Sequence, residues 1–296
     1  MDTSAQRRST GTSMCRGMGE IGLPISTGAP KPRSHSQYAR FAQCGLAYKL
    51  ERVDRKPQSP AGWFIQGIAV HHGVELYERS GRSLSRPQVV DAYRQKWESE
   101  EAAGRRREPD EKRWMTGGFK SAAKDLPDRK SLGEHQIHDY LTYVDSVRDH
   151  EYMWTTPDGR LAVELGFEIT IGSVPIRGFI DQILVTPYGL TVRDVKTGTK
   201  KQSSALQLAL YRRAVWEMYQ VDITWGDFFQ CARLGRSPKA GGPTDPIDLT
   251  TIDQSWLEGQ YAAMDAAERN GVYLANPGDH CVTCGVARHC NAKGRE

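Results

Sequence analysis

Three β-type runs follow one another almost without interruption: Leu161–Thr170, Val174–Val185 and Leu190–Val195. Each alternates or runs apolar and is rich in β-branched residues. Only Gly172–Ser173 and Pro187–Gly189 break them. The three runs read as consecutive antiparallel strands joined by tight turns. Helical periodicity surrounds this meander. Gln37–Val53 suits a short helix and a turn, and Trp63–Tyr77 a helix carrying Phe64, Ile68, Val70, His71 and Val74. Pro87–Glu101, Lys130–His150, Ser204–Tyr219 and Trp256–Asn270 also read as helices, and Asp222–Leu234 as a further strand. Ala102–Glu111 is densely charged and is expected as an exposed loop or a solvated helical end. The order predicts a mixed α/β (α+β) core, with a sheet flanked by helices and a helical insertion over residues 85–150.

The chain has 296 residues, enough to bury a sizeable core. Residues 1–34 carry five basic side chains against two acidic ones, which is most of the formal net charge of +4. Their Ser, Thr, Gly and Pro content and lack of periodicity predict a disordered leader. One domain is then expected over 35–296, closed by a cysteine-bearing segment at 277–296. The remainder is close to neutral, so any nucleic-acid surface must be a local basic groove. No apolar run reaches membrane-spanning length and no signal-type apolar core opens the chain, so a cytoplasmic protein is expected.

The chemistry concentrates in Gly178-Phe-Ile-Asp181 and Thr191-Val-Arg-Asp194-Val-Lys196-Thr-Gly. On a strand, Asp194 and Lys196 share a face and Val195 points to the other side, into the core. Two carboxylates and a lysine at strand ends suit a Mg²⁺ or Mn²⁺ site for phosphodiester hydrolysis. The lysine would orient water or stabilise developing negative charge. An Asp-x-Lys triplet alone is weak, and its bland reading is an exposed ion pair. Glu164 and Glu168 share a strand face, so alternation cannot choose between them as a further carboxylate; Glu164 is preferred.

The surrounding motifs strengthen the case. Gly178-x-Ile-Asp181, a turn, then Asp194-x-Lys196-Thr-Gly resembles the RecB-type nuclease branch of the PD-(D/E)XK superfamily, and the resemblance implies a restriction-endonuclease-like core. Gly67-Ile-Ala-Val-His71 resembles that branch's Gly-x-x-x-His helix, which implies that His71 ligates metal, with His72 the fallback. Gln207-Leu-Ala-Leu-Tyr211 resembles its Gln-x-x-x-Tyr helix, which implies that this face lines the active site and contacts DNA. The expected catalytic set is Asp181, Asp194, Lys196, Gln207 and Tyr211; the expected metal set is His71, Glu164, Asp181, Asp194 and Val195. Tyr211 on an amphipathic helix could equally be plain core.

Cys281, Cys284 and Cys290 have C-x2-C-x5-C spacing and need a fourth ligand. Zinc in a Cys₄ site is the commoner reading of spacing alone, and His280 and His289 offer a Cys₃His alternative. The segment around Cys44 resembles the N-terminal cysteine helix of iron–sulfur nucleases of this branch, such as the CRISPR-adaptation nucleases and the AddB subunit. That resemblance implies a [4Fe–4S] cluster on Cys44, Cys281, Cys284 and Cys290. Gly45 stands where that family usually has proline. Cys231 reads as a small hydrophobe in a strand, and Cys15 falls in the leader.

The implied activity is a metal-dependent DNA exonuclease preferring single strands or ends, serving recombination, repair, CRISPR-type processing or a phage. A separate helicase or recombination protein is a candidate partner, because the chain has no Walker A motif. The alternatives are a catalytically silent DNA-binding or helicase-partner module and a zinc-stabilised structural protein.

Overall fold

A computed structural model describes residues 31–198, 204–234 and 238–292. Most of the expected leader, Cys15 included, lies outside them. The fold begins earlier than the sequence suggested. Arg33 is buried, its guanidinium bonded to Asp265 and Glu268, both at 2.6 Å, and it bridges the sheet at Ile176. A residue read as tail charge is thus a buried ion-pair anchor.

Helix α1 (His35–Gln43) is capped by the Ser34 side chain and ends at the extended Cys44. A short α2 (Gly45–Tyr48) runs into a wide π turn, Lys49–Val53. Three long helices follow: α3 (Gly62–Arg79), α4 (Arg86–Arg107) and α5 (Ala122–Val147). The charged stretch after residue 101 is the solvated end of α4, where Gly104 lets Trp114 pack against the helix backbone. Helix α5 begins at Ala122, eight residues before the expected Lys130 and just after the capping position Ser121, and runs through Pro127. Proline lacks a backbone N–H, so Pro127 forfeits the ladder bond to the residue 123 carbonyl, and it weakens the periodic signal there.

The meander forms as expected. Strand β1 (Tyr152–Met153) and β2 (Val163–Ile171) share one edge of β3 (Val174–Thr186), and β4 (Gly189–Lys196) takes the other. After α6 (Leu206–Tyr219), β5 (Trp225–Gln230) pairs parallel to β4, making the sheet mixed. Two-residue strands β6 (Gly242–Pro243) and β7 (Ile247–Asp248) edge β5, and α7 (Gln254–Arg269) follows. Helices α6 and α7 cover one sheet face in an apolar cluster with Val192, Leu208 and Tyr261. Val195, Phe229 and Cys231 face α3, α4 and α5 on the other side. The layers are therefore helix, sheet, helix. Buried Arg193 clamps β4 to β5 through a two-pronged pair with Asp227 (2.7 and 2.8 Å) and reaches Glu151 at 2.9 Å.

Candidate active site

Strand register builds the site. Glu164 lies opposite Asp181 in the β2–β3 pairing, and one further step of the β3–β4 register puts Asp181 opposite Asp194. Three carboxylates therefore stand abreast on three neighbouring strands, on one face. Beyond Gln182–Arg193 the ladder opens, and Asp181 Oδ2 accepts the Val195 N–H at 2.9 Å. Glu164 sits at φ +44°, a left-handed conformation rare for a residue with a side chain. Strain of that kind is held in place only by its surroundings.

His71 reaches in from α3, its Nδ1 3.5 Å from Asp181 Oδ2 and 3.8 Å from Glu164 Oε1. Gly67, one turn earlier, allows this approach: a Cβ there would stand 3.3 Å from the Thr197 hydroxyl just past β4. His71, Glu164 and Asp181 offer ligand atoms all within 4.8 Å of one another, the sole such group among the described residues. Register separates the two glutamates: Glu164 lies across from Asp181, whereas Glu168 pairs with Arg177.

Asp194 stands beside this triad and is buried. Its Oδ1 accepts from Gln207 Nε2 at 2.5 Å and from the Tyr211 hydroxyl at 3.2 Å. Lys196 Nζ lies 2.5 Å from Asp194 Oδ2 and donates to Gln207 Oε1 at 2.9 Å. Asp194 Oδ2 is buried without a hydrogen bond of proper geometry. Asp194 and Lys196 share a face as the sequence requires, and Gln207 and Tyr211 meet them from α6.

One expectation needs correction. Tyr211 contacts the site through its hydroxyl only; its ring is 4% exposed and stands edge-on to Phe167 at 6.2 Å. A base cannot stack on a ring already covered. Gly178 makes the room, because a Cβ there would meet the Phe167 ring at 2.9 Å. The Val195 side chain is buried against α3–α5, as strand alternation requires, and its amide orients Asp181.

The electrostatics fit a cation. Burial pushes the Asp181 carboxyl up to about 7, Asp194 adding to the rise and His71 opposing it. Burial would lower His71, but Asp181, Glu164 and Asp194 outweigh it and raise the imidazole to about 9. Oxygen-rich donors with one imidazole match a hard divalent ion such as Mg²⁺ or Mn²⁺.

The cysteine segment forms a second locus. Cys44 is buried in a small cluster with Val286, against which Cys284 and Cys290 pack. Sulfurs accept hydrogen bonds from Asn276 N to Cys44 and Gly278 N to Cys281, both 3.5 Å, and from Arg40 to Cys284 at 3.1 Å. Among the described residues no three of these sulfurs lie within 4.8 Å of one another. Gly45 has a local reason, since a Cβ there would meet the Leu274 backbone at 2.9 Å.

Sequence reasoning passed over several residues. Gln136, bonded to Gln66, fixes the carbonyls of Thr197 and Ala232 behind the lysine strand. Phe64 and Ile68, read with the apolar face of α3, are 50% and 45% exposed. The inward face is Ile65, Ala69, Val70 and Val74: Val70 and Val74 point inward as expected, with Ile65 and Ala69 in place of Phe64 and Ile68.

A curled mixed sheet flanked by helices, with an acidic triad, an Asp-x-Lys strand and a Gln-x-x-x-Tyr helix at its edge, defines a nuclease core. The chain belongs to the PD-(D/E)XK nuclease superfamily, whose family model matches residues 32–291. It is similar to the Gene 69 protein of Mycobacterium phage D29, 31% identical over 279 residues, covering 92% of this chain and 98% of that one. The Gene 69 protein of Mycobacterium phage L5 is 29% identical over 283 residues, 87% and 95% of the two chains. A crystal structure from Eubacterium rectale, described as "Putative exonuclease", is 12% identical with a TM-score of 0.42 over 96% of both chains. No described helix is long and apolar enough to cross a membrane.

Proposed function

We propose that this nuclease is a divalent-metal-dependent DNA exonuclease of the RecB-like iron–sulfur branch, acting on single strands or ends, with a helicase or recombination protein as a separate partner. The observation that carries the hydrolytic role is the convergence of His71, Glu164 and Asp181 within 4.8 Å beside Asp194 and Lys196. His71, Glu164, Asp181 and Asp194 would hold Mg²⁺ or Mn²⁺. When bound, that ion polarises a phosphodiester and makes water a better nucleophile. The chain's own residues do the rest. Gln207 fixes Lys196 and Asp194 at once, through its carbonyl and amide ends. Held between Asp194 and Gln207, the Lys196 ammonium would orient water or offset negative charge developing at the phosphate. Similarity to phage proteins over nearly the whole chain supports a role in phage DNA metabolism.

The cysteines support a [4Fe–4S] site on Cys44, Cys281, Cys284 and Cys290. Cys44, at the end of α1, gathers with Cys284 and Cys290 around Val286, so the N-terminal cysteine meets the C-terminal segment.

The test is cleavage of end-labelled linear and circular DNA, single- and double-stranded, by anaerobically purified protein with Mg²⁺ or Mn²⁺. Metal-dependent loss from linear ends, abolished by Asp194→Asn, is expected. Cutting of circles would replace the exonuclease assignment with an endonuclease one, and no cleavage of any form would remove the nuclease assignment. Stoichiometric zinc without iron would remove the cluster and leave its ligands.

A further inference from the structure

Two exposed phenylalanines flank the catalytic carboxylates, and neither belongs to the metal or lysine machinery. Phe64 stands half-exposed on α3, tilted against Trp63 at 5.8 Å, in a cavity of about 660 Å³ that also contains His71 and Glu164. Arg129, stacked over Trp63, and Lys96 bring positive charge to that cavity. Phe179 is 63% exposed on β3 and lies over Gly166, whose missing side chain leaves it a flat seat. It opens into a groove of about 750 Å³ with Arg52, Arg177 and the Gln207–Tyr211 face.

Spacing links both rings to the site. Phe64 precedes His71 by seven residues, about 10 Å along a helix. Phe179 precedes Asp181 by two, about 7 Å along a strand and on the same face. Each ring is therefore within a nucleotide or two of the reacting phosphate. Half-exposed aromatics beside basic side chains are poorly matched to a duplex, whose outside offers charged phosphate. They match unpaired bases, every one of which has an apolar face to stack.

We propose that Phe64 and Phe179 are base-stacking platforms that hold unpaired nucleotides on opposite sides of the scissile phosphate. This rests on the nuclease reading and assigns it a substrate form and two specificity-determining residues. Lys96 and Arg129 on one side, and Arg52 and Arg177 on the other, meet the intervening phosphates. Tyr211, the residue the motif offered for DNA contact, is a nearly covered part of the groove wall whose hydroxyl holds Asp194.

The test is binding of single-stranded oligonucleotides carrying 2-aminopurine at successive positions, with Ca²⁺ in place of Mg²⁺. Wild-type protein should change the 2-aminopurine emission at two positions. Phe64→Ala should abolish one change and Phe179→Ala the other, each weakening binding about fivefold to a hundredfold, the range that base–aromatic stacking contributes. Phe64→Trp should restore the first. Both phenylalanines are exposed, so melting temperatures should hold within a degree or two. A double variant that binds single strands within twofold of wild type would overturn the proposal, as would an equal loss on blunt duplex. If wild-type protein cuts no DNA with Mg²⁺ or Mn²⁺, the nuclease reading falls, and the binding series still decides the platforms.

Discussion

Replacing Tyr211 by phenylalanine removes one oxygen atom and keeps the ring. That ring fills space against Phe167, so the substitution leaves no cavity of consequence. The hydroxyl accepts from Gln207 at 2.7 Å and donates to Asp194 Oδ1 at 3.2 Å. A hydrogen bond to a charged group contributes about 1.5–3 kcal/mol. The 3.2 Å length places this one at the low end, near ~1.5 kcal/mol, and the Gln207 bond at 2.5 Å keeps the carboxylate paired. Stability in urea should therefore fall by about 1–2 kcal/mol. If the hydroxyl serves to aim Asp194, kcat should fall about tenfold, at about 1.4 kcal/mol per decade. KM for DNA should stay level, because a covered ring contacts no base. Tyr211→Ala should instead cost about 3–5 kcal/mol of stability by emptying a buried site. Urea titration by tryptophan fluorescence and steady-state cleavage over a range of DNA concentrations separate these effects. A several-fold rise in KM with unchanged kcat in Tyr211→Phe would refute the reasoning and return Tyr211 to the DNA-binding surface.

Lys196→Ala should lower kcat at least ~100-fold, since one preorganised charge contact is worth about 2.7–4 kcal/mol, while the fold melts normally by circular dichroism. Mn²⁺ should raise the melting temperature of wild-type protein and of Glu168→Gln, and that rise should vanish in Glu164→Gln; equal responses would assign the wrong glutamate. Asp227→Asn leaves Arg193 buried with half its pairing gone, and a loss of about 3–5 kcal/mol is expected in denaturant titration. Gly45→Ala should destabilise by about 1–3 kcal/mol and lower iron content together, because the added Cβ pushes the Cys44 segment off Leu274.

Local periodicity made part of the site legible before any fold was known. A repeat of two residues put Asp194 and Lys196 on one face with Val195 behind them, and a helical turn put Gln207 beside Tyr211. The strand meander itself followed from alternation and short turns. Periodicity says which side chains share a face but not what that face meets. Alternation alone could not separate Glu164 from Glu168, and β2–β3 register places Glu164 across from Asp181 and Glu168 across from Arg177. Phe64 and Ile68 looked like core until α4 and α5 packed against the neighbouring stripe of α3. Tyr211 was core and site residue at once, since its ring is sealed by Phe167 and only its hydroxyl reaches Asp194. Arg33 read as tail charge, and two acids on α7 bury it. Each of these outcomes rests on contacts between segments distant along the chain, and such contacts leave no mark in the local pattern of either segment.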